Sequence, residues 1–229
     1  MHGLANKLAT LNESRSSLML IMGILFVAVI AACFFVSPHF GYFLLACLAL
    51  AMASATLLGR YWCNWMCPRG SFLEYFLAKI SLQRRFPPFF KHGYFLAFVV
   101  SVFMFMMGLN LYLLLQTHSL IFALGITLTR LLIISTIVAI VLGIVYEPRA
   151  WCVFCPGGTF AKLAAAFKVK KPYLINEASA CTSCQLCVTS CPFEIYAAQG
   201  GVIDAPDCLK CYVCVEKCPT KALSFADQK

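Results

Sequence analysis

Four apolar stretches constrain this chain more than any other feature of its sequence. They cover residues 18–36, 40–58, about 94–116 and 128–145. Each is close to the roughly 20 residues that an α-helix needs to cross the hydrocarbon core of a bilayer. Because 62% of the 229 side chains are apolar, a water-soluble fold of this size has no core large enough to hide them. The sequence therefore predicts an α-helical membrane protein with four transmembrane helices.

The connections between these helices are short. Residues 37–39 alone separate the first two helices, and a proline beside a small polar residue favours a tight turn. Residues 116–118 end the third helix. We expect residues 119–127 to form an apolar connection on the far surface, with Arg130 near the start of the fourth helix. The four helices then form two hairpins.

Basic residues near the ends of the helices predict the orientation in the membrane. Arg130 is alone on one side, whereas the other side carries Lys7, Arg15, Arg60, Arg69, Lys79, Arg84, Arg85, Lys91, Arg149 and Lys162. Positive residues favour the cytoplasmic side, so both termini are expected in the cytoplasm and the protein in the inner membrane. A cleaved signal peptide ending near Cys33 is the alternative. The net charge is +9, but the positive residues are not collected in a polar basic domain, which disfavours nucleic-acid binding.

The composition changes after the fourth helix. Lys168, Lys170 and Lys171 form a basic linker between a membrane domain (residues 1–171) and a polar, cysteine-rich tail (residues 172–229). A hydrophobic core alone is marginal for a tail of this size, so a covalent or metal crosslink is expected to stabilise it.

The tail contains the same cysteine spacing twice. The runs are Cys181-x2-Cys184-x2-Cys187-x3-Cys191-Pro192 and Cys208-x2-Cys211-x2-Cys214-x3-Cys218-Pro219. In runs of this kind three cysteines bind one 4Fe-4S cluster, and the fourth binds the other cluster. One ligand set is then Cys181, Cys184, Cys187 and Cys218, and the second is Cys208, Cys211, Cys214 and Cys191. Zinc ribbons are the alternative. The tail resembles the bacterial two-cluster ferredoxin, which implies a small α+β domain of two short hairpins and two helices.

A second cysteine motif follows both predicted hairpins. The same order of residues begins at Arg60 and again at Arg149. It consists of arginine, Trp-Cys, an aromatic residue, Cys-Pro, glycine, serine or threonine, and phenylalanine. Each copy continues into a segment of helical periodicity, with Ser71 or Thr159 as the predicted N-cap. We expect these two helices to lie flat on the cytoplasmic surface.

The chain therefore contains two copies of a unit made of a hairpin, a cysteine pair and a surface helix. A pseudo-two-fold axis along the membrane normal would relate the copies and bring four cysteines together at the cytoplasmic edge. These are Cys63, Cys67, Cys152 and Cys155. They would bind a third iron-sulfur centre or a single metal ion, act as redox dithiols, or be structural.

The whole pattern resembles the NapH family of membrane quinol dehydrogenase components, which is related to NosR and to the CcoG-type polyferredoxins. The resemblance rests on the two Cys-Pro motifs behind the second and fourth helices and on the two-cluster tail. It implies electron exchange between quinol or quinone in the membrane and iron-sulfur clusters, within a complex of other redox subunits. The second motif, Cys152-x2-Cys155-Pro156, is one residue shorter than the family's Cys-x3-Cys-Pro.

Quinol oxidation requires a proton acceptor, and histidine titrates in the physiological range. His39 and His118 lie in the two far-side turns, and Arg130 lies nearby to bind a quinone oxygen. These three residues are the candidate catalytic residues, although turn histidines are often only solvated and a terminal arginine often reaches for the interface.

The predicted function is electron transfer between quinol and iron-sulfur clusters, feeding a respiratory reductase. A metal- or disulfide-reducing assembly factor of the CcoG type and a redox-sensing membrane scaffold are the alternatives.

Overall fold

The computed structural model of the protein describes residues 2–84, 87–166, 172–197, 200–203 and 205–227. The predicted linker residues Lys168, Lys170 and Lys171, and the orientation residue Arg85, lie outside these ranges.

Four helices are long and apolar enough to cross a membrane, and they correspond to the four predicted segments. They are α1 (His2–Phe35), α2 (Phe43–Leu58), α5 (Gly93–Leu115) and α6 (Leu120–Val145). Their apolar, span-length parts are Arg15–Phe35, Pro38–Leu57, Gly93–Leu115 and Leu120–Val145. The second of these includes a 3-10 turn (Pro38–Tyr42), whose N-cap Ser37 accepts a hydrogen bond from the His39 amide.

The expectation of a connection over residues 119–127 was wrong, because α6 already begins at Leu120. The first turns of α6 pack tightly against the Pro38–Tyr42 turn. The Thr129 hydroxyl donates to the Pro38 carbonyl at 3.2 Å, and a Cβ built on Gly41 would lie 2.7 Å from the Gly125 carbonyl oxygen. Ala123, Gly125 and Thr127 are buried in this region. These tertiary contacts favour a helix over residues 120–127. The apolar sequence of this stretch is compatible with either a helix or a loop.

Each Cys-Pro motif forms a short helix followed by a longer one. The first motif forms α3 (Tyr61–Trp65) and α4 (Pro68–Leu77), and the second forms α7 (Ala150–Phe154) and α8 (Pro156–Ala166). Both longer helices begin with proline directly after the last cysteine of the motif. The predicted N-caps Ser71 and Thr159 therefore lie inside helices, and that expectation was wrong.

Helices α4 and α8 do not lie flat on a surface as predicted. Helix α4 packs against α1 and α6, and α8 packs against α2 and α5. Leu73 and Leu77 of α4 are buried, and Ala161 of α8 packs against Ala55. The buried side of α4 is therefore the one with Leu73 and Leu77, whereas Phe76 and Ile80, which the periodicity placed on the apolar face, are 41% and 59% exposed.

The tail is a small α+β domain, as predicted, but its sheet differs from the two expected hairpins. The strands are β1 (Pro172–Asn176), β2 (Gly201–Ile203) and β3 (Leu223–Asp227), and the central β1 pairs antiparallel with the other two. Two four-residue helices, α9 (Leu186–Thr189) and α10 (Val213–Glu216), lie within the cysteine runs and contain Cys187 and Cys214. The core is small: Leu174, Ala197 and Leu223, with three cysteines packed against them.

Candidate metal centres

The first predicted ligand set of the tail lines one cavity. Cys181, Cys184, Cys187 and Cys218 all border it. The amide nitrogen of buried Asn176 lies 3.6 Å from the Cys181 sulfur. The chain therefore brings the last cysteine of the second run to the first three cysteines of the first run.

The second predicted set lines a neighbouring cavity, which Cys191, Cys208, Cys211 and Cys214 border. Cys187 of the first set also borders this cavity, so the two sites adjoin. Burial raises the pKa of the Cys214 thiol to about 12 and that of Cys208 to about 11. Free thiols there stay protonated at neutral pH, and a bound metal supplies the charge that makes them thiolates.

Both cysteine runs curl through the same backbone conformation. Ser183 and Gln185 flank the second cysteine of the first run with φ of 53° and 59°, and Lys210 and Tyr212 do so in the second run with 53° and 63°. Left-handed conformations are unfavourable for residues with a Cβ. The repeated strain indicates that the backbone is shaped around what the cysteines hold.

These cavities fit clusters better than single ions. Among the described residues, no three His, Cys, Asp or Glu side chains stand at the spacing of a single metal ion. Four cysteines around one cavity are the ligand arrangement of a 4Fe-4S cluster, which has four iron atoms to ligate.

The four membrane-domain cysteines also border one cavity, of about 160 Å³. Cys63 and Cys67 come from one half of the sequence, and Cys152 and Cys155 come from the other. Residues from all four long helices complete the walls, among them Phe26, Leu48, Met104 and Leu132.

This cavity is bordered by residues from the middle of the four apolar segments, and not only by residues beyond their ends, where the motifs begin. A Cβ built on Gly157, two residues after Cys155, would lie 3.5 Å from Leu48 Cδ1, and Leu48 is near the centre of the Pro38–Leu57 segment. On the other side, Phe72 packs against Gly23 near the centre of the first segment. The predicted location of the four cysteines at the edge of the membrane domain is therefore corrected. The reason is the one given for the predicted surface helices: α4 and α8 pack back among the long helices.

Two buried arginines hold the halves together in a reciprocal way. Arg60, in front of the first motif, donates to the Cys152 carbonyl at 2.8 Å. Arg149, in front of the second motif, donates to the Cys63 carbonyl at 3.1 Å. Their side chains are only 2% and 5% exposed. Each arginine therefore fixes the backbone of the cysteine segment in the opposite half.

Carboxylates neutralise both arginines. Asp207 of the tail accepts from Arg60 at 3.0 Å. Glu74 of α4 accepts from Arg149 and, at 2.6 Å, from Arg15. Burial by itself would raise the pKa of the Glu74 carboxyl, but Arg149 and Arg15 hold that pKa below its ordinary value. Glu74 is therefore ionised at neutral pH.

Arg69 is different, because it has no carboxylate partner among the described residues. Its guanidinium donates to the Cys155 sulfur at 3.2 Å and to the Ser135 hydroxyl at 2.9 Å. It also lies over the Trp151 ring, 5.2 Å from the ring centroid. Trp151 borders the cavity, and its buried indole N–H has no hydrogen-bond partner in the described part of the chain. The cavity wall therefore carries a cation and a donor in need of an acceptor.

Sequence reasoning treated Arg69 as an orientation signal and did not identify Cys47, Glu74 or Asp207. Cys47 of α2 borders the same cavity as the motif cysteines. The only sequence signal was the arginine at Cys67-Pro68-Arg69, where the second copy of the motif has Gly157.

The predicted quinone-site residues lie elsewhere. The His39 and His118 rings both contact Phe122, with centroid distances of 5.9 Å and 5.2 Å. Arg130 donates to the Asn110 side chain at 3.3 Å. All three candidates are exposed, and none borders the four-cysteine cavity. The structure thus brings the two histidines near each other, but away from the cysteines.

Comparison with known proteins gives matches to iron-sulfur domains. A family described as a 4Fe-4S binding domain matches the chain twice, over residues 40–87 and 128–173. Each match includes one Cys-Pro motif. A family described as a 4Fe-4S dicluster domain matches residues 173–219, which include all eight tail cysteines. The resemblance to the NapH family stays a prediction.

The chain is also similar to two uncharacterized proteins of Methanocaldococcus jannaschii. The first is 26% identical over 162 residues, which are 66% of this chain and 66% of the relative. The second is 28% identical over 160 residues, which are 64% of this chain and 56% of the relative. The matches therefore cover less than two thirds of either relative. No solved structure matches the chain.

Proposed function

We propose that this membrane iron-sulfur electron-transfer protein exchanges electrons with quinol or quinone inside the bilayer, by way of a third centre bound by Cys63, Cys67, Cys152 and Cys155. An iron-sulfur centre there supplies one-electron chemistry. We further propose that the protein works with other redox subunits in the inner membrane, with its termini in the cytoplasm.

The single observation that carries this proposal is the charge at the four-cysteine cavity. Holding an arginine even partly out of water costs free energy unless an anion compensates it, and Arg69 is half-buried. Arg69 lies against the Cys155 sulfur with no carboxylate partner in the described part of the chain. A centre bound by four thiolates provides the missing negative charge. A pair of neutral dithiols does not.

Two further features favour an anionic centre. Helices α4 and α8 begin at Pro68 and Pro156, and both residues border the cavity. The N-terminus of an α-helix carries a partial positive charge and stabilises nearby anions. The unpartnered Trp151 N–H is a suitable donor to a cluster sulfide.

The cavity walls also suit a quinone ring. Beyond the cysteines the walls are apolar and aromatic, and include Phe43, Phe103, Met107 and Phe160. Ligand sites of this kind combine an apolar slot with a few polar groups, and Arg69 is a donor for a quinone oxygen. No histidine or carboxylate of the described residues borders the cavity. We therefore assign electron exchange to the cavity. His39 and His118 stay the predicted acceptors of the two quinol protons, which would reach them through water because neither histidine borders the cavity.

We also propose that the two halves are related by a pseudo-two-fold axis along the membrane normal. Three observations support it. Each motif helix, α4 or α8, packs on the first long helix of its own half and the second of the other half. Arg60 and Arg149 make reciprocal contacts, and one family matches both halves.

Iron and acid-labile sulfide per chain test the third centre. With four irons per cluster, the wild-type protein purified without oxygen should contain about twelve irons. Cys67→Ser should lower the content to about eight and abolish reduction of the tail by a short-chain quinol, while reduction by dithionite persists. Cys33→Ser is the matched control, because Cys33 is buried in α1 and does not border the cavity. A wild-type content of about eight irons would refute the third centre.

A further inference from the structure

The tail contacts the membrane domain through one of its two cluster-binding faces. Among the described residues, Phe193, Asp207 and Lys210 make hydrogen-bond, ion-pair or cation–π contacts with the membrane domain, and each lies close in the sequence to a cysteine of the second ligand set. Phe193 follows Cys191, Asp207 precedes Cys208, and Lys210 precedes Cys211.

Asp207 joins the tail to both halves of the membrane domain. One carboxylate oxygen accepts from Arg60 at 3.0 Å, and the other accepts from Lys162 of α8 at 2.6 Å. Arg60 also donates to the Cys152 carbonyl and lies over the Phe193 ring, 4.9 Å from its centroid. One buried guanidinium thus contacts a membrane-domain cysteine segment and two tail residues beside second-set cysteines.

A second contact supports the same orientation. The indole N–H of buried Trp65 donates to the Lys210 carbonyl at 3.3 Å. Trp65 lies between Cys63 and Cys67, whereas Lys210 lies between Cys208 and Cys211. Cysteine-bearing segments of the two domains are therefore joined by a direct hydrogen bond.

The first ligand set faces the other way. Cys184 is exposed, as are its neighbours from Thr182 to Leu186. Cys218 borders the same cavity and is followed by exposed Pro219 and Thr220. The side chain of Leu186, an apolar residue, is 46% exposed.

We propose that Asp207 is a positioning residue that docks the tail in one orientation, with the second ligand set facing the four-cysteine cavity and the first set facing solvent. The electron-transfer role of this orientation rests on the proposed function. Removing the carboxylate leaves Arg60, which is 2% exposed, without its anion in a buried position. We then expect the tail to separate from the membrane domain more often, because separation exposes the Arg60 guanidinium to water.

Hydrogen exchange of the full-length, cluster-loaded protein tests the docking without any electron transfer. Asp207→Asn should accelerate exchange roughly tenfold at residues 205–211 and around Trp65, with iron content unchanged. Glu216→Gln is the control, because Glu216 is an exposed tail acid close to Cys214 and Cys218. Wild-type exchange in Asp207→Asn would overturn the proposal. If that variant does not fold, Lys162→Gln removes one of the two contacts and should show the same acceleration to a smaller extent.

The orientation itself is tested by removing one ligand set at a time. With a short-chain quinol as reductant, Cys184→Ala should leave the remaining tail centre reducible, whereas Cys211→Ala should leave it oxidised. Dithionite should reduce the remaining centre in both variants. The opposite pattern would overturn the orientation. If quinol fails to reduce even the wild-type tail, the proposed function fails, and hydrogen exchange still decides the docking.

Discussion

Replacing Glu74 by glutamine removes the carboxylate that Arg149 and Arg15 share. Arg149 is 5% exposed, Arg15 is 14% exposed, and Glu74 itself is 26% exposed. Removing one partner of a buried ion pair costs about 3–5 kcal/mol, because the remaining charge is left uncompensated. Since Glu74 keeps some contact with solvent and glutamine keeps one acceptor oxygen, we expect a loss near the lower end, about 3 kcal/mol.

The pH dependence of this contribution follows from the sign of the pKa shift. The folded protein holds the pKa of Glu74 below its ordinary value of 4.5. The ion pairs therefore stabilise the fold fully above pH 4.5, and the stabilisation is lost as the pH falls through the lower, folded-state pKa. The difference in stability between wild type and Glu74→Gln should be constant near neutral pH and shrink in acid.

The assay is unfolding of the detergent-solubilised protein by increasing sodium dodecyl sulfate, followed by tryptophan fluorescence. Glu177→Gln, which changes an exposed tail carboxylate, should unfold like the wild type. A Glu74→Gln protein within about 0.5 kcal/mol of the wild type would refute the view that this carboxylate compensates buried charge.

Two other changes probe the packing and the charge of the membrane domain. Gly41→Ala should destabilise the protein by about 1–3 kcal/mol in the same assay, because its Cβ would lie 2.5 Å from Thr129 Oγ1 and 2.7 Å from the Gly125 carbonyl oxygen. Gly108→Ala is the control and should be neutral, because a Cβ there meets open space. Equal stabilities of the two variants would contradict this packing. Arg69→Met should lower the reduction potential of the proposed membrane-domain centre in an EPR-monitored titration, because the cation beside Cys155 favours the more negative reduced state. Arg69→Lys should lower it less, and an unchanged potential at full iron content would show that Arg69 does not act on the centre.

Much of the fold could be predicted because its signals are local. An apolar run of about 20 residues is a candidate membrane helix whatever surrounds it, and all four such runs correspond to apolar, span-length helices. In the tail, the repeated cysteine spacing predicted that the fourth cysteine of each run lies with the first three of the other run. Cys218 indeed borders the same cavity as Cys181, and Cys191 the same cavity as Cys208. That the duplicated motif brings Cys63 and the other three cysteines to one place was also anticipated from the repeat alone.

The depth of the membrane site could not be predicted, and the reason is physical. The periodicity of residues 68–77 predicts a helix, but Phe72 and Phe76 are as apolar as the buried Leu73 and Leu77. Lipid and protein interiors are equally apolar partners for either side. The sequence therefore does not distinguish a helix on the membrane surface from one buried between α1 and α6. Likewise, the membrane orientation was predicted by counting positive residues near the helix ends. Such a count treats Arg84 and Arg69 alike, although Arg69 contacts a cysteine sulfur.

The amino-acid sequence by itself determined which segments are long and apolar enough to cross a membrane, and which tail cysteines border the same cavity, because hydrophobic length and cysteine spacing are properties of consecutive residues. Only the tertiary structure decided where the motif helices lie, that Arg69 faces a sulfur, and which face of the tail meets the membrane domain. The Arg60–Asp207 contact joins residues 147 positions apart. Such pairings depend on how all the helices pack, since a charge buried by the fold must find its counter-charge in space rather than along the chain.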